Sequence, residues 1–279
     1  MRKYNCFSVT TEKSISHVLL NRPEKRNSMN LDFWNEFPEI ISKIDQEGKA
    51  KAIVISSAGP HFCSGLDLSL FQSDLFNIVN NQEHKGMLLM DYIQILQNAL
   101  GILQKCRIPV ITAIQGGCIG GGLDLVCASD IRLGTNDCYF SILETKLGLV
   151  ADVGTFPRLV KLIPDGLVRE LAFTGRKFHA TEALASGFLN NKYEDQKSMV
   201  KAALILADKI AENAPKTIHG CKEAINFSRD HTTEDGLKWV KMWNSSMLSM
   251  KDIEEGFKAS VTKKPGRFTS LPKKINKIG

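Results

Sequence analysis

The feature that most constrains the fold of this chain is a glycine-rich stretch in its middle, GGCIGGGLDLVCASD, at residues 116–130. Five glycines fall within the seven positions 116–122, and Asp124 follows two residues after the last of them. Glycine weakens both helices and strands, so this density is expected only where the backbone must approach another group closely. Because a β-rich apolar segment precedes the glycines and a helical pattern follows them, the stretch is predicted to be a strand-to-helix turn.

A turn of this kind leaves several backbone N–H groups free at the start of the helix. Together with the helix dipole, these groups can hold negative charge. The glycines fit neither G-x-G-x-x-G nor G-x-x-x-x-G-K-[ST], which disfavours a dinucleotide or P-loop phosphate site. If the group held is a carbonyl oxygen that gains charge during a reaction, the same arrangement is an oxyanion hole. The alternative is a tight turn that only lets the helix pack closely on the sheet.

A second glycine loop, HFCSGLDL at residues 61–68, also follows an apolar strand. Its Gly65 could free the N–H of Leu66, so that two loops aim two backbone donors at one oxygen. Composition alone does not show whether the two loops converge.

Strand and helix patterns alternate in the first half of the chain, and the part after about residue 154 is mostly helical. Residues 6–11 and 15–23 have the pattern of a β-hairpin. Asn30 is a predicted N-cap of the helix that follows, and Pro38 within that helix predicts a kink or a late start. The pattern indicates an α/β core with a helical C-terminal part and no linker that would separate the two.

The chain of 279 residues can bury one large core. It shows no run of about 18 apolar residues, so no transmembrane helix is expected, and neither a secretory signal nor an S-K-L ending is recognisable. Seven cysteines without a C-x-x-C pair favour reduced thiols inside a cell. Six histidines without an H-E-x-x-H pair disfavour a catalytic metal.

The net charge is +6, and the C-terminal end is rich in lysine. The preferred interpretation is a solvated, frayed tail, because no aromatic residues are interleaved with the basic ones; the alternative is attraction to an anionic partner. Trp239, Met242 and Trp243 lie at helical spacing and are predicted to be core or subunit contacts.

Four segments follow one another along the chain: LNRPEKRNSMN, AIVISSAGPHFCSGLDL, PVITAIQGGCIGGGLDLVCASDIRLGT and FSILETKLGLVADVGTFPRL. They are similar to motifs of the crotonase superfamily, also called the enoyl-CoA hydratase/isomerase family. The resemblance implies an α/β fold, with a crotonase-like spiral of β-β-α units that carries the active site in residues 1–200. It also implies a C-terminal helical region, residues 201–279, that mediates trimerisation. Members commonly form hexamers from two trimers, and the resemblance implies a mitochondrial or peroxisomal location.

The resemblance assigns the two oxyanion-hole donors to the N–H groups of Leu66 and Gly121, which would hold the oxygen of an acyl-CoA thioester. Lys25 and Arg26 are candidate contacts for the coenzyme A phosphates, although exposed basic residues are common. Coenzyme A enters as part of the substrate, so no cofactor and no metal are expected. Substrate contacts are implied for Ser64, Gly65, Leu66, Asp67, Leu68 and Gly121.

Three acids, Asp124, Glu144 and Asp152, are the catalytic candidates. Hydratases of the family carry glutamates at the first two positions and typically a small residue at the third, whereas the set found here is similar to that of Δ3,5-Δ2,4-dienoyl-CoA isomerases. By resemblance, Asp152 is the base at C2 of the substrate, Glu144 is the acid at C6, and Asp124 keeps Glu144 protonated and oriented. Without the resemblance, Asp124 would be an acid favoured by a helix dipole, Glu144 a surface residue and Asp152 an N-cap.

The resemblance thus implies isomerisation of 3,5-dienoyl-CoA to 2,4-dienoyl-CoA in fatty acid β-oxidation. Two carboxylates suit this reaction because the carbon that loses a proton and the carbon that gains one are several bonds apart. The alternative enzymes are an enoyl-CoA hydratase and a Δ3,Δ2-enoyl-CoA isomerase. An alternative of another class is an RNA-binding or non-catalytic acyl-CoA-binding protein, although neither a nucleic acid nor a membrane is the expected partner.

Overall fold

The computed structural model describes residues 3–72, 77, 78, 80 and 83–275, and two β-sheets form its framework. The larger sheet has six strands, which lie side by side in the order β1 (Phe7–Glu12), β2 (Ile15–Leu20), β3 (Ala52–Ser57), β4 (Val110–Ile114), β6 (Ile131–Thr135) and β9 (Asn191–Tyr193). The smaller sheet has three strands, in the order β5 (Gly117–Ile119), β7 (Tyr139–Ser141) and β8 (Phe178–His179).

Helices cover the sheets and make up most of the second half of the chain. The α-helices are α1 (Leu31–Glu47), α2 (Lys85–Lys105), α3 (Gly121–Cys127), α4 (Thr155–Leu159), α5 (Asp165–Thr174), α6 (Ala180–Ala185), α7 (Gln196–Ala211), α8 (Pro215–Asp230), α9 (Thr233–Met247) and α10 (Met250–Thr262). Short 3-10 helices span Pro23–Lys25, Leu68–Gln72 and Leu143–Leu147.

The topology of the larger sheet brings the two glycine loops together. Strands β1 and β2 form the predicted antiparallel hairpin, and β2, β3, β4, β6 and β9 then pair in parallel. Every residue of β3 and β4 is buried, as expected for parallel strands covered on both faces. Because neighbouring parallel strands end at the same edge of a sheet, the chain segments that follow β3 and β4 emerge side by side.

The first helix begins where the sequence predicts, but Pro38 does not delay it. The side chain of Asn30 accepts a hydrogen bond of 3.0 Å from the N–H of Phe33, which confirms the predicted N-cap. The helix runs from Leu31 to Glu47 with Pro38 inside it, so the predicted late start is wrong. Its apolar face, which includes Phe33 and Phe37, is buried in the main core on both sides of the proline turn, and this packing supports the helix through it.

The predicted division of the chain between residues 200 and 201 falls inside α7. Met199, Ala203 and Ala207 of this helix are buried in a second apolar cluster with residues of β3, β4 and β6. Helix α7 therefore belongs to the core, and α8 to α10 remain as the C-terminal helical region. A role of that region in trimerisation stays a prediction.

The lysine-rich end is not simply a frayed tail, because hydrogen bonds and an ion pair hold it against α1 as far as Lys274. The ammonium of Lys274 pairs with the buried carboxylate of Asp45, and its N–H donates to the carbonyl of Gln46 at 3.1 Å. Arg107 contacts the same carboxylate at 2.9 Å and donates to the carbonyl of Pro272 at 3.0 Å. The buried carboxylate of Asp45 thus pairs with two cations. Both contacts are long-range, and composition does not reveal them.

By length and composition alone, helix α2 is long and apolar enough to cross a membrane. The expectation that the chain has no transmembrane helix stays a prediction. Its C-terminal half is buried in the main core through Leu96, Ala99, Leu100 and Leu103. A helix that packs in a protein core meets the same two criteria, so length and composition do not distinguish the two.

The aromatic residues of α9 do not lie in a core. Met242 is 68% exposed, and the rings of Trp239 and Trp243, which are half-buried, stack at 5.2 Å between centroids. The prediction of a core position is therefore wrong for Met242, and the alternative of a subunit contact stays a prediction.

Candidate active site

The two glycine loops converge. Cys63 and Cys118 pair in an isolated parallel bridge, in which the N–H of Cys63 donates to Gly117 at 3.2 Å. The N–H of Ile119 donates to the carbonyl of Cys63 at 3.0 Å. This short ladder fixes the position of Gly65 relative to the glycines that begin α3.

The N–H groups of Leu66 and Gly121 are among the donors of these loops that have no assigned acceptor within the described residues. Leu66 forms a parallel bridge with Met29, but the hydrogen bonds are made by the residues on either side, Gly65 and Asp67. In such a bridge the N–H of the central residue points away from the partner strand. Gly121 is the first residue of α3, so its N–H has no acceptor within the helix. Within the described residues neither N–H has an assigned acceptor, which suits an oxyanion hole.

Close backbone contacts explain the glycines of both loops. Gly65 has φ +88°, and a Cβ placed on it would lie 2.9 Å from the carbonyl oxygen of Ile119. Gly120 has φ +53°, and a Cβ there would lie 2.9 Å from Oε1 of Glu144. A side chain at the first position would separate the loops, and one at the second would displace the acid. The carboxyl group of Glu144 therefore lies directly against the glycine turn.

Asp124 lies in the first turn of α3 and is 1% exposed. Its Oδ1 accepts a hydrogen bond of 2.7 Å from the hydroxyl of Thr155. Burial raises the pKa of Asp124 to about 7, and the charge of Glu144 also raises it, whereas hydrogen bonds from Thr155 oppose the change. The position of Asp124 in the first turn agrees with the alternative that the helix dipole favours an acid there, but the dipole does not explain why the side chain of Asp124 is buried.

Glu144 lies in the 3-10 helix Leu143–Leu147, and its Oε2 is buried without a hydrogen-bond partner among the described residues. Burial raises the pKa of Glu144, and the charge of Asp152 raises it further. A carboxyl oxygen that is buried and unpaired favours the protonated state. These facts contradict the alternative of a simple surface residue and fit a proton donor.

Asp152 is the most exposed of the three acids and lies in the loop before α4. Partial burial still raises the pKa of Asp152. The residue that caps α4 is Gly154, and no side chain caps this helix, so the N-cap alternative is wrong. The charge of Glu144 raises the pKa of Asp124, and the charge of Asp152 raises the pKa of Glu144, so each acid influences the protonation of another. Their joint role in catalysis stays a prediction.

The Asp152 loop is held by residues that the sequence analysis missed. Gln97 of α2 donates to the carbonyl of Asp152 at 2.6 Å. Arg158 donates to the carbonyls of Val153 and Gly154 at 3.4 and 3.2 Å. The nearness of Arg158 to this loop in sequence is a weak signal, whereas nothing local to Gln97 indicates its contact.

The side chain of Asp67 stabilises the glycine loop of residues 61–68. It accepts hydrogen bonds from the hydroxyl of Ser28 at 2.8 Å and the N–H of Ser69 at 3.1 Å, and it pairs with Arg22 at 3.3 Å. Burial acts to raise the pKa of Asp67, but these donors outweigh it and lower the pKa to about 2. A direct contact of Asp67 with substrate stays a prediction.

The remaining predicted substrate contacts lie at the rim of the glycine loops. Leu68 is 71% exposed, and Lys25 and Arg26 are also exposed. The carbonyl of Arg26 accepts a hydrogen bond of 3.1 Å from the N–H of Ser64, so the two basic residues border the loop of Leu66. Two exposed basic side chains thus lie beside the loop of Leu66, and their contact with coenzyme A stays a prediction.

Comparison with known proteins agrees with this geometry. The family model described as "Enoyl-CoA hydratase/isomerase" matches residues 10–271. The chain belongs to the enoyl-CoA hydratase/isomerase family. A solved structure of this family, an enoyl-CoA hydratase from Bacillus anthracis, superposes with a TM-score of 0.85 at 27% identity, over 95% of this chain and 99% of that one.

Two curated relatives in this family carry a more specific name. The rat protein "Delta(3,5)-Delta(2,4)-dienoyl-CoA isomerase, mitochondrial" is 41% identical over 97% of this chain and 84% of its own length. The Arabidopsis thaliana protein of the same name, described as peroxisomal, is 37% identical over 94% of this chain and 95% of its own length. A relative named as a probable enoyl-CoA hydratase, from the same plant, is 28% identical over 93% of this chain.

Proposed function

We propose that this chain isomerises 3,5-dienoyl-CoA to 2,4-dienoyl-CoA in fatty acid β-oxidation. The observation that carries the proposal is the position of Glu144. It lies against the glycine turn that bears one oxyanion donor, its charge acts on Asp124, and the charge of Asp152 acts on it. The names of the relatives described above support the same activity.

The reaction begins with removal of a proton from C2 by the carboxylate of Asp152. Because Asp152 is the least buried of the three acids, it ionises most easily and is the suitable base. The electron pair of the broken C–H bond moves into the conjugated system, and negative charge accumulates on the thioester oxygen. The N–H groups of Leu66 and Gly121 stabilise that oxygen.

The reaction ends with transfer of a proton from Glu144 to C6, which moves both double bonds toward the thioester. One proton leaves the substrate and one returns, so no electrons are lost or gained. Asp152 is then protonated and Glu144 ionised, and exchange of protons with solvent restores the starting state. The thioester itself makes the C2 proton acidic, so the proposed chemistry needs neither a metal nor a redox cofactor.

Hydration is the second enzymatic candidate, since it uses the same oxyanion hole. It requires a water molecule activated by two acids at the positions of Asp124 and Glu144. In this chain Asp124 has a short side chain whose Oδ1 is already hydrogen-bonded to Thr155. That bond disfavours Asp124 as a second base and favours isomerisation.

The coenzyme A portion of the substrate is proposed to place its phosphates near Lys25 and Arg26 at the rim of the site. We also propose self-association as a trimer or hexamer, supported by apolar side chains exposed on α9 and nearby, such as Met242 and Leu248. The mitochondrial and peroxisomal names of the relatives support one of these two locations.

The test is to incubate the purified protein with 3,5-dienoyl-CoA and to follow formation of the conjugated 2,4-dienoyl product, with 2-enoyl-CoA in parallel. Asp152→Asn and Glu144→Gln are each expected to reduce kcat by about 10²- to 10⁴-fold, the usual contribution of an acid or base. Asp165→Asn, at a surface acid that is 64% exposed, is the matched control and should retain full activity.

Near-full activity in either active-site variant would contradict the proposed mechanism. Faster turnover of 2-enoyl-CoA than of 3,5-dienoyl-CoA would instead favour the hydratase. Salt-sensitive RNA binding by a variant that carries both Asp152→Asn and Glu144→Gln, with no dienoyl turnover in the wild type, would favour the non-enzymatic alternative.

A further inference from the structure

Asp124 and Glu144 are two acids that compete for protons. The charge of Glu144 acts on Asp124, and burial raises the pKa of both. Two neighbouring carboxylates cannot both ionise readily in a buried place, so near neutral pH the pair retains one proton. The proposed reaction needs that proton on Glu144, because Glu144 is the group that delivers it to C6.

Burial by itself places the shared proton on the wrong acid. Asp124 is 1% exposed, whereas Glu144 is only partly buried. The less solvated carboxyl group retains its proton more strongly. Some other interaction must therefore stabilise the ionised form of Asp124 if Glu144 is to act as the acid.

Thr155 provides a donor that opposes the effect of burial on Asp124. Its hydroxyl donates to Oδ1 of Asp124 at 2.7 Å. Hydrogen bonds to a carboxylate stabilise the charged form. Thr155 is 1% exposed and is the first residue of α4, so its side chain is packed in place.

The other groups that face Asp124 do not replace Thr155. Arg158 of α4 favours the ionised carboxylate through its charge, but no hydrogen bond joins the two side chains among the described residues. Cys127 of α3 and Cys118 of β5 are buried, and burial raises the pKa of both thiols, to about 12 for Cys127, so both are neutral at pH 7.

We propose that Thr155 is a positioning residue that directs the proton shared by Asp124 and Glu144 to Glu144, and so prepares the acid of the reaction. This inference rests on the proposed isomerase function. It also gives the loop of Asp152 a second role: three residues after the base, the same segment sets the protonation of the acid.

The decisive variants are Thr155→Val, which replaces the hydroxyl by a methyl group of similar size, and Thr155→Ser, which restores the hydroxyl. In Thr155→Val the proton moves to Asp124, and kcat is expected to fall about 10- to 100-fold, as for loss of one hydrogen bond to a charged group. KM should change little, because the N–H groups of Leu66 and Gly121 are untouched. Thr155→Ser should recover most of kcat.

The pH profile separates this role from a structural one. Asp124 without the hydroxyl binds the shared proton more tightly, so the last proton leaves the pair at higher pH. The alkaline limb of the kcat profile should therefore move upward in Thr155→Val, by about one pH unit for a tenfold effect. A loosened site would lower kcat without this upward shift.

Three results would overturn the proposal: Thr155→Val with kcat within twofold of wild type, an alkaline limb that does not move, or Thr155→Ser as impaired as Thr155→Val. Should Thr155→Val not fold by circular dichroism, Thr155→Ala provides the same loss of the hydroxyl without the added methyl group.

A titration of the unliganded protein distinguishes failure of this inference from failure of the proposed function. Carbon-13 NMR of the side-chain carboxyl groups should show a higher midpoint for Asp124 and a lower one for Glu144 in Thr155→Val. Unchanged midpoints would overturn the role of Thr155 whatever the substrate. A wild type that does not isomerise 3,5-dienoyl-CoA, with the midpoints shifted as expected, would instead refute the function.

Discussion

The contact between the two oxyanion loops can be tested by Gly65→Ala. An added Cβ would lie 2.9 Å from the carbonyl oxygen of Ile119 and 3.4 Å from the nitrogen of Gly121. Ordinary contact with the carbonyl begins at about 3.4 Å, so the loops must separate by roughly 0.5 Å. The methyl group thus pushes apart the two segments that carry the oxyanion donors.

The size of the effect follows from that displacement. A misplacement of about 1 Å near the reacting atoms can cost about 100-fold in rate, and loss of one oxyanion donor costs about 10²- to 10³-fold. We expect kcat/KM of Gly65→Ala to fall about 100-fold, equivalent to about 2.7 kcal/mol in the activation free energy. The positive φ of +88° adds about 1–2 kcal/mol of strain to the folded state.

Gly187→Ala is the matched control, because Gly187 has φ +84° and its added Cβ would have no atom within 4 Å. It should lose a similar amount of stability from backbone strain and no activity. The assays are formation of 2,4-dienoyl-CoA from 3,5-dienoyl-CoA and unfolding in urea. If Gly65→Ala retained activity within threefold of Gly187→Ala, the proposed geometry of the oxyanion hole would be wrong.

Three further variants test other contacts. The pKa of Asp67 is about 2 against an ordinary 3.8, which corresponds to about 2 kcal/mol of stability that is present above about pH 4 and lost as the pH falls toward 2. Asp67→Asn should therefore lower the free energy of unfolding in urea by that amount at pH 7. An equal loss at pH 2 would show that the ionised carboxylate is not the cause. Asp130 pairs with the ammonium of Lys222 at 2.8 Å. Lys222→Met removes that cation and should lower the free energy of unfolding by about 2 kcal/mol. A change below about 0.5 kcal/mol would refute the contribution of this ion pair. The double variant Lys25→Ala and Arg26→Ala should raise KM for acyl-CoA several-fold at low salt and leave kcat unchanged, and an unchanged KM would exclude these residues from phosphate binding.

Local features of the chain were predictable because their causes are local. The hairpin of β1 and β2 follows from alternating residues around a short turn, and the Asn30 cap follows from one side chain and the next turn of helix. The late start predicted from Pro38 failed because burial of the apolar face of α1 outweighs one missing N–H.

Long-range contacts were not predictable in the same way. The pairing of Lys274 with Asp45 joins the C-terminal segment to α1, and no pattern near either residue indicates it. The hydrogen bond from Gln97 to the loop of Asp152 has the same character. Both depend on how separate elements pack, a property that periodicity and composition do not contain.

The positions of the glycines and the spacing of Asp124, Glu144 and Asp152 can be read from the amino-acid sequence, and they indicate the family to which the chain belongs. The meeting of the glycine loops, the burial of Asp124 as the most buried of the three acids, and its hydrogen bond from Thr155 depend on the fold. They do so because the acidity of a carboxyl group depends on the solvent it loses and the donors it gains, and packing sets both.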